Sequence, residues 1–129
     1  MPTLSLEVVE FTARYLGALE DLQVLMACLD SRERWWDAPG MARQLGIAIL
    51  TARRSLDRLT QGNLLDIRIT GEVRYRFKPG TPALEAAALA CGSSYRADPG
   101  ALVQLITGSA TRSLPDFADA FRIRRDDQD

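Results

Sequence analysis

Two short helical patterns separated by a glycine place the strongest constraint on how this chain folds. In residues 41–47, the small side chain of Ala42 lets two helices approach, and Gly46, four residues later, permits a sharp turn. A second helix is predicted over residues 49–61, and Gly62 ends it. Its inward-facing side chains recur at three- and four-residue spacing, and they are Ile49, Ala52, Leu56 and Leu59. The stretch therefore predicts a helix-turn-helix.

Alternating apolar and polar residues follow this motif and predict a β-hairpin. Residues 64–69 and 72–77 alternate with the period of a strand, and Thr70-Gly71 between them suits a tight turn. The side chains predicted to face inward are Leu65, Ile67, Ile69, Val73, Tyr75 and Phe77. The side chains predicted to face solvent are Arg68, Arg74 and Arg76.

Helical patterns on both sides of the motif predict a fold that is mainly α-helical with a small β-hairpin. Asp37 and Thr81 have the positions of N-caps, each with a proline in the first turn that follows. The further predicted helices span residues 4–15, 18–29, 38–45, 82–95, 98–106 and 115–122. We expect one domain over residues 1–129, with its core in residues 18–78, C-terminal helices within 82–122 and a disordered charged tail over 123–129.

Positive charge is concentrated in the helix-turn-helix and the hairpin. Residues 43–78 contain eight cationic and three acidic side chains, a net charge of +5 in a chain whose total is −1. Because salt screens exposed charges beyond about 8–10 Å, a local cationic surface can bind polyanions although the whole chain is nearly neutral. The cationic residues are Arg43, Arg53, Arg54, Arg58, Arg68, Arg74, Arg76 and Lys78. The alternative is that these side chains only solvate a helix and a hairpin.

The length and the apolar content predict a cytoplasmic protein with one core. With 129 residues and 47% hydrophobic side chains, the chain can bury a self-sufficient core. We expect no membrane segment, because no apolar run approaches 18 residues, and no secretory signal, because Glu7 and Glu10 lie where a hydrophobic block would be needed. Cys28 and Cys91 lie in apolar helical segments, which favours reduced, buried thiols over a disulfide.

The residue inventory argues against an enzyme. The chain has no histidine, and its two cysteines lack the spacing of a zinc site. No glycine-rich phosphate loop is present. Adjacent acids such as Glu20 and Asp21 are interpreted as helix-start charges rather than catalytic pairs. We therefore expect no catalytic residues, no metal and no cofactor, and we interpret Trp35 and Trp36 as packing at a helix junction.

Three helices followed by a two-stranded wing is the element order of a winged helix-turn-helix. The pattern Ala42-x3-Gly46-x5-Ala52-x3-Leu56-x2-Leu59-x2-Gly62-Leu64-Leu65 resembles that of MarR-like and ArsR-like bacterial transcriptional regulators. Residues 117–124 look like a segment of a group of uncharacterised proteobacterial winged-helix proteins. The resemblance covers about residues 18–78 and implies a transcriptional regulator that binds double-stranded DNA.

In such regulators the second helix of the pair lies in the major groove and the wing, here residues 64–78, contacts phosphates or the minor groove. The resemblance implies that the recognition helix over residues 49–61 uses Thr51, Arg53, Arg54 and Arg58. Arginine suits the task because its guanidinium can bond bidentately to guanine or bridge phosphates. The wing would use Arg68, Arg74 and Arg76, chiefly on phosphates. A homodimer is expected, because one such helix reads only half a site, with contacts from the terminal helices.

Two departures from this pattern support a different function. Ile49 and Leu50 stand where recognition helices usually begin with small polar residues, and Glu72 beside the wing tip would be repelled by phosphate. The alternative hypothesis is a winged-helix module that binds a protein partner in a signalling or transcription complex, without direct contact with DNA.

Overall fold

The computed structural model describes residues 4–113, with side chains to residue 108. Within these residues the chain forms six helices and one hairpin, so the predicted class, mainly α-helical with a small β-hairpin, is confirmed. The elements are α1 (Leu6–Tyr15), α2 (Leu19–Asp30), α3 (Ala38–Leu45), α4 (Ile49–Gln61), β1 (Leu65–Thr70), β2 (Glu72–Phe77), α5 (Pro82–Ala97) and α6 (Pro99–Ser113). α6 is longer than predicted, and the helix and tail expected beyond residue 113 lie outside the described residues.

The predicted helix-turn-helix is present with the predicted limits. Asp37 is the N-cap of α3, because its carboxylate Oδ1 accepts the backbone N–H of Gly40 at 2.7 Å. Gly46 ends α3 in the left-handed conformation, with φ of 69°, and its N–H bonds to the carbonyl of Ala42 at 2.8 Å. The chain then enters α4 at Ile49, so the glycine makes the turn between the two helices.

The core is built around α4 and α2. Ala52, Leu56 and Leu59 are fully buried, as predicted. The prediction for Ile49 is wrong, since its side chain is 55% exposed. Ile49 shares a helical stripe with Ala52 and Leu56 but lies at the first position of α4, one turn beyond the part of the helix that the core covers.

The hairpin has the predicted alternation but only its base is buried. Leu65, Tyr75 and Phe77 pack in the core, whereas Ile69 is 70% exposed and Ile67 is also exposed, which corrects the prediction that both face inward. Ile69 pairs with Val73 next to the turn at Gly71. The two isoleucines are on the inward side of the pleat, but the hairpin extends past the body that would cover them.

An isolated β-bridge joins the segment before α3 to the edge of the two-stranded sheet. Trp36 and Tyr75 exchange backbone hydrogen bonds in both directions, at 2.7 and 2.8 Å. Trp36 was predicted to pack at a helix junction, but it is buried at the edge of the hairpin instead. This pairing fixes the segment before α3 to the wing.

The terminal helices contribute to the same core. Val8, Phe11, Ala88, Leu102 and Ile106 are buried among α1, α5 and α6, so much of the apolar surface expected to form a dimer contact is covered within the chain. Large apolar side chains that stay exposed on these helices are Leu6 and Leu89. Both cysteines are unpaired and buried, as predicted. Of the helices in residues 4–113, none combines the length and the apolar character needed to cross a membrane.

Candidate nucleic-acid interface

The exposed face of α4 carries two large aliphatic residues and two arginines at its N-terminal end. Ile49 and Leu50 are followed one turn later by Arg53 and Arg54, and all four are exposed. Neither arginine forms an ion pair within the described residues. Thr51 is half-buried on the flank of this face. The two guanidinium groups are therefore available to bind a ligand on the exposed face of α4.

Arg58, the third arginine predicted to contact DNA, has a partner inside the protein. Its Nη2 lies 2.7 Å from Asp21 Oδ1 on α2, and its Nε lies 3.2 Å from both carboxylate oxygens. Asp21 is buried and also accepts the backbone N–H of Gly17 at 3.1 Å. The hydrogen bond to this carboxylate raises the pKa of Arg58. Arg58 thus holds α4 against α2, a role that no sequence pattern predicted.

The wing arginines lie on the face of the sheet that points away from α4. Tyr75 faces α4, where its hydroxyl donates to Asp57 Oδ1 at 2.6 Å. Because successive strand residues point to opposite faces, Arg74 and Arg76 lie on the other side of β2, and Arg68 joins them from β1. The predicted site residues therefore fall into two groups, one on α4 and one on the outer face of the wing.

The outer-face arginines differ in their contacts. Arg74 forms an ion pair with Glu72 on the same strand, with Nη2 and Oε1 2.9 Å apart. Arg68 and Arg76 instead stack over the indole of Trp35, with their Cζ atoms 4.4 and 4.6 Å from the ring centroid. No sequence pattern predicted this cluster, because Trp35 is distant along the chain from both arginines.

A groove of about 450 Å³ lies beside Arg53, between the start of α4 and β2. Its lining consists of Asp37, Ala38, Pro39, Ile49, Arg53, Glu72, Val73 and Tyr75. Burial, with the hydrogen bond to Asp57 adding to it, raises the pKa of Tyr75 to about 12, so the phenol is neutral at physiological pH. In the part of the chain that the structure describes, no three acidic or cysteine side chains gather where they could hold a metal ion.

A helix-turn-helix followed by a wing defines the winged-helix class. No family model and no curated protein matches the sequence. Among solved structures, a possible transcriptional regulator from Methanosarcina mazei Go1 is similar, with a TM-score of 0.50, 18% identity, and coverage of 91% of this chain and 88% of that chain. Wild-type MarR from E. coli, in its apo form, gives a TM-score of 0.51 and 14% identity, with coverage of 88% and 84%. The fold is that of MarR-like winged-helix regulators, as the sequence pattern predicted.

Proposed function

We propose that this protein is a DNA-binding transcriptional regulator in which α4 enters the major groove and the wing contacts the sugar-phosphate backbone. The observation that carries the proposal is the pair Arg53 and Arg54, exposed together on the second helix of the helix-turn-helix without a carboxylate partner in the described residues. A guanidinium in this position can bond bidentately to guanine O6 and N7 or bridge two phosphates.

The other predicted site residues take supporting roles in this proposal. Thr51, near the N-terminus of α4, offers a hydroxyl to a phosphate. Arg68, Arg74 and Arg76 supply positive charge on the wing. Arg58 would act through Asp21, because their ion pair joins α4 to α2 and so would orient α4 for the groove.

We also propose that the regulator is a cytoplasmic homodimer and has no catalytic activity. Two copies related by a twofold axis would place two α4 helices on successive half-sites. Leu6 on α1 and Leu89 on α5 are exposed apolar residues on terminal helices, where a second copy could cover them. Sedimentation velocity tests this: a Leu6→Glu/Leu89→Glu variant should sediment as a monomer, and a monomeric wild-type protein would contradict the proposal.

DNA binding can be tested by fluorescence anisotropy with duplexes from the promoter of the protein's own gene. If the wild-type protein neutralises several phosphates, log affinity falls linearly with log salt, with a slope of about −0.9 for each phosphate. The Arg53→Ala/Arg54→Ala variant should bind at least about tenfold more weakly, since each good base contact contributes about 1–3 kcal/mol.

Arg96→Ala is the matched control, because it also removes an exposed arginine, from an ion pair with Asp30 that lies between α5 and α2. This variant should retain wild-type affinity. Equal affinities of the double variant and the control would contradict the assignment of α4 as the recognition helix.

Exposed apolar residues favour a protein-interaction module as the second candidate function. Ile49, Leu50, Ile67 and Ile69 are large, exposed and confined to the start of α4 and the wing. A polypeptide partner would bury them, and such a contact depends little on salt. If DNA leaves the amide spectrum of α4 unchanged at low salt while a polypeptide shifts it, the second function replaces the first.

A further inference from the structure

A single indole on the outer face of the wing carries two guanidinium groups. Trp35 is half-buried, and the Cζ atoms of Arg68 and Arg76 lie 4.4 and 4.6 Å from its ring centroid. The two arginines come from neighbouring strands and share a face, since Arg68 pairs with Arg74 and Arg76 pairs with Asp66. Two like charges thus contact one indole.

Like Arg53 and Arg54, these two arginines have no carboxylate partner among the described residues. Arg32, Arg58, Arg74 and Arg96 each form an ion pair, whereas Arg68 and Arg76 form none within residues 4–108. Asp66, the cross-strand neighbour of Arg76, uses its Oδ1 to accept the backbone N–H of Ile67 at 3.0 Å.

Stacking determines which atoms of these arginines a ligand can reach. A guanidinium that lies on an aromatic ring contacts it through its π face, and its N–H donors point outward in the plane of the group. Two such groups repel each other, and an anion that accepts hydrogen bonds from both relieves the repulsion. A phosphate suits this arrangement because its oxygens can pair with the N–H edges of both arginines.

We propose that Trp35, Arg68 and Arg76 form a phosphate-binding site, with Trp35 as the positioning residue that holds both guanidinium groups in place. The identification of the natural ligand as a phosphodiester of DNA rests on the proposed function. Because this face of the wing points away from α4, the phosphate bound here would lie outside the groove that α4 enters. The site would therefore extend the contact to flanking duplex.

The first experiment tests the site without DNA. Inorganic phosphate is titrated into the protein while the Nε–Hε signals of its arginines are followed by ¹⁵N NMR, with sulfate and chloride at equal ionic strength as reference anions. The signals of Arg68 and Arg76, assigned from single glutamine variants, should shift together and saturate. The Arg96 signal is the internal control and should move only as the ionic strength does. If the signals of Arg68 and Arg76 do not saturate with phosphate, the site does not exist.

The second experiment tests the source of the phosphate. The Arg68→Gln/Arg76→Gln variant should lower the salt slope of duplex binding by about 2, whereas Arg96→Gln should leave it unchanged. With a duplex shortened to remove the flanks, the wild-type protein and the double variant should bind alike. An unchanged slope in the double variant overturns the flanking-DNA contact, even if Arg53 and Arg54 are still required for binding.

Trp35 is tested by two substitutions that keep both charges. Trp35→Leu removes the aromatic face and should weaken phosphate and duplex binding severalfold, while Trp35→Phe should restore most of the affinity. Equal binding by both variants would contradict the positioning role. Saturable phosphate binding by a protein that binds no duplex would support the site and overturn the proposed regulator, so the two proposals fail separately.

Discussion

The hydroxyl of Tyr75 on β2 donates a hydrogen bond to Asp57 Oδ1 on α4 over 2.6 Å. This contact joins the wing directly to the candidate recognition helix. Tyr75 is also the residue whose backbone pairs with Trp36 before α3. One buried residue therefore links three parts of the helix-turn-helix and wing, through its side chain to α4 and through its backbone to the segment before α3.

Removal of this hydroxyl should destabilise the fold. Tyr75→Phe leaves Asp57 without its donor, and we expect the free energy of unfolding to fall by about 1.5–3 kcal/mol, typical for a hydrogen bond to a charged group. Urea denaturation followed by circular dichroism measures the change. Tyr95→Phe on α5 makes the same chemical change elsewhere and should have a smaller effect. Equal losses would mean that the bond to Asp57 contributes little.

Loss of Arg58 should affect stability more than loss of its neighbour one turn earlier. Arg58→Ala leaves the buried carboxylate of Asp21 without its cation, which should cost about 3 kcal/mol. This figure is at the low end for broken buried pairs, because the Arg58 side chain is 46% exposed. Arg54→Ala should change the unfolding free energy by less than about 0.5 kcal/mol. Coincident urea midpoints for the two variants would show that the Asp21 contact is not stabilising.

Two aliphatic residues of α4 should respond differently to truncation. Leu56 is fully buried, so Leu56→Ala should cost about 2–5 kcal/mol through lost burial and a residual cavity. Ile49 is on the same stripe but more than half exposed, and Ile49→Ala should cost less than about 1 kcal/mol. Thermal unfolding of both variants compares them. A larger loss for Ile49 would mean that a partner surface, such as a second copy, covers it in solution.

Stability should decrease at alkaline pH. Burial raises the pKa of Cys28 to about 12 and that of Cys91 to about 11, from an ordinary value of 9.0. The unfolded chain therefore loses these protons at lower pH than the folded one, so the stabilisation is complete below pH 9 and is lost as the pH rises towards 12.

Urea midpoints at pH 8 and pH 10.5 measure this dependence. The midpoint should be lower at pH 10.5, and Cys28→Ala should reduce the difference. Alkylation by iodoacetamide at pH 8 gives an independent check, because buried neutral thiols should react far more slowly in the native protein than in urea. Fast alkylation under native conditions would contradict the burial of both residues.

Local sequence signals were sufficient for the elements themselves. The limits of α3 and α4 agree with the predicted ranges, because the cap at Asp37, the glycine at position 46 and the apolar periodicity of α4 act over a few residues. The hairpin and its pleat were likewise specified by alternation. The sequence could not predict how far along each element the core extends. Ile49, Ile67 and Ile69 lie on the predicted apolar faces but beyond the ends of the elements that pack against them, so they are exposed.

The sequence alone determined the winged-helix order of elements and the accumulation of arginines in that region. Only the tertiary structure decided what each arginine does. Asp21 binds Arg58, Glu72 binds Arg74, and Trp35 holds Arg68 and Arg76, while Arg53 and Arg54 have no ion-pair partner among the described residues. The reason is physical: an arginine side chain is long and flexible, and its position depends on whichever carboxylate or aromatic ring the fold brings within reach.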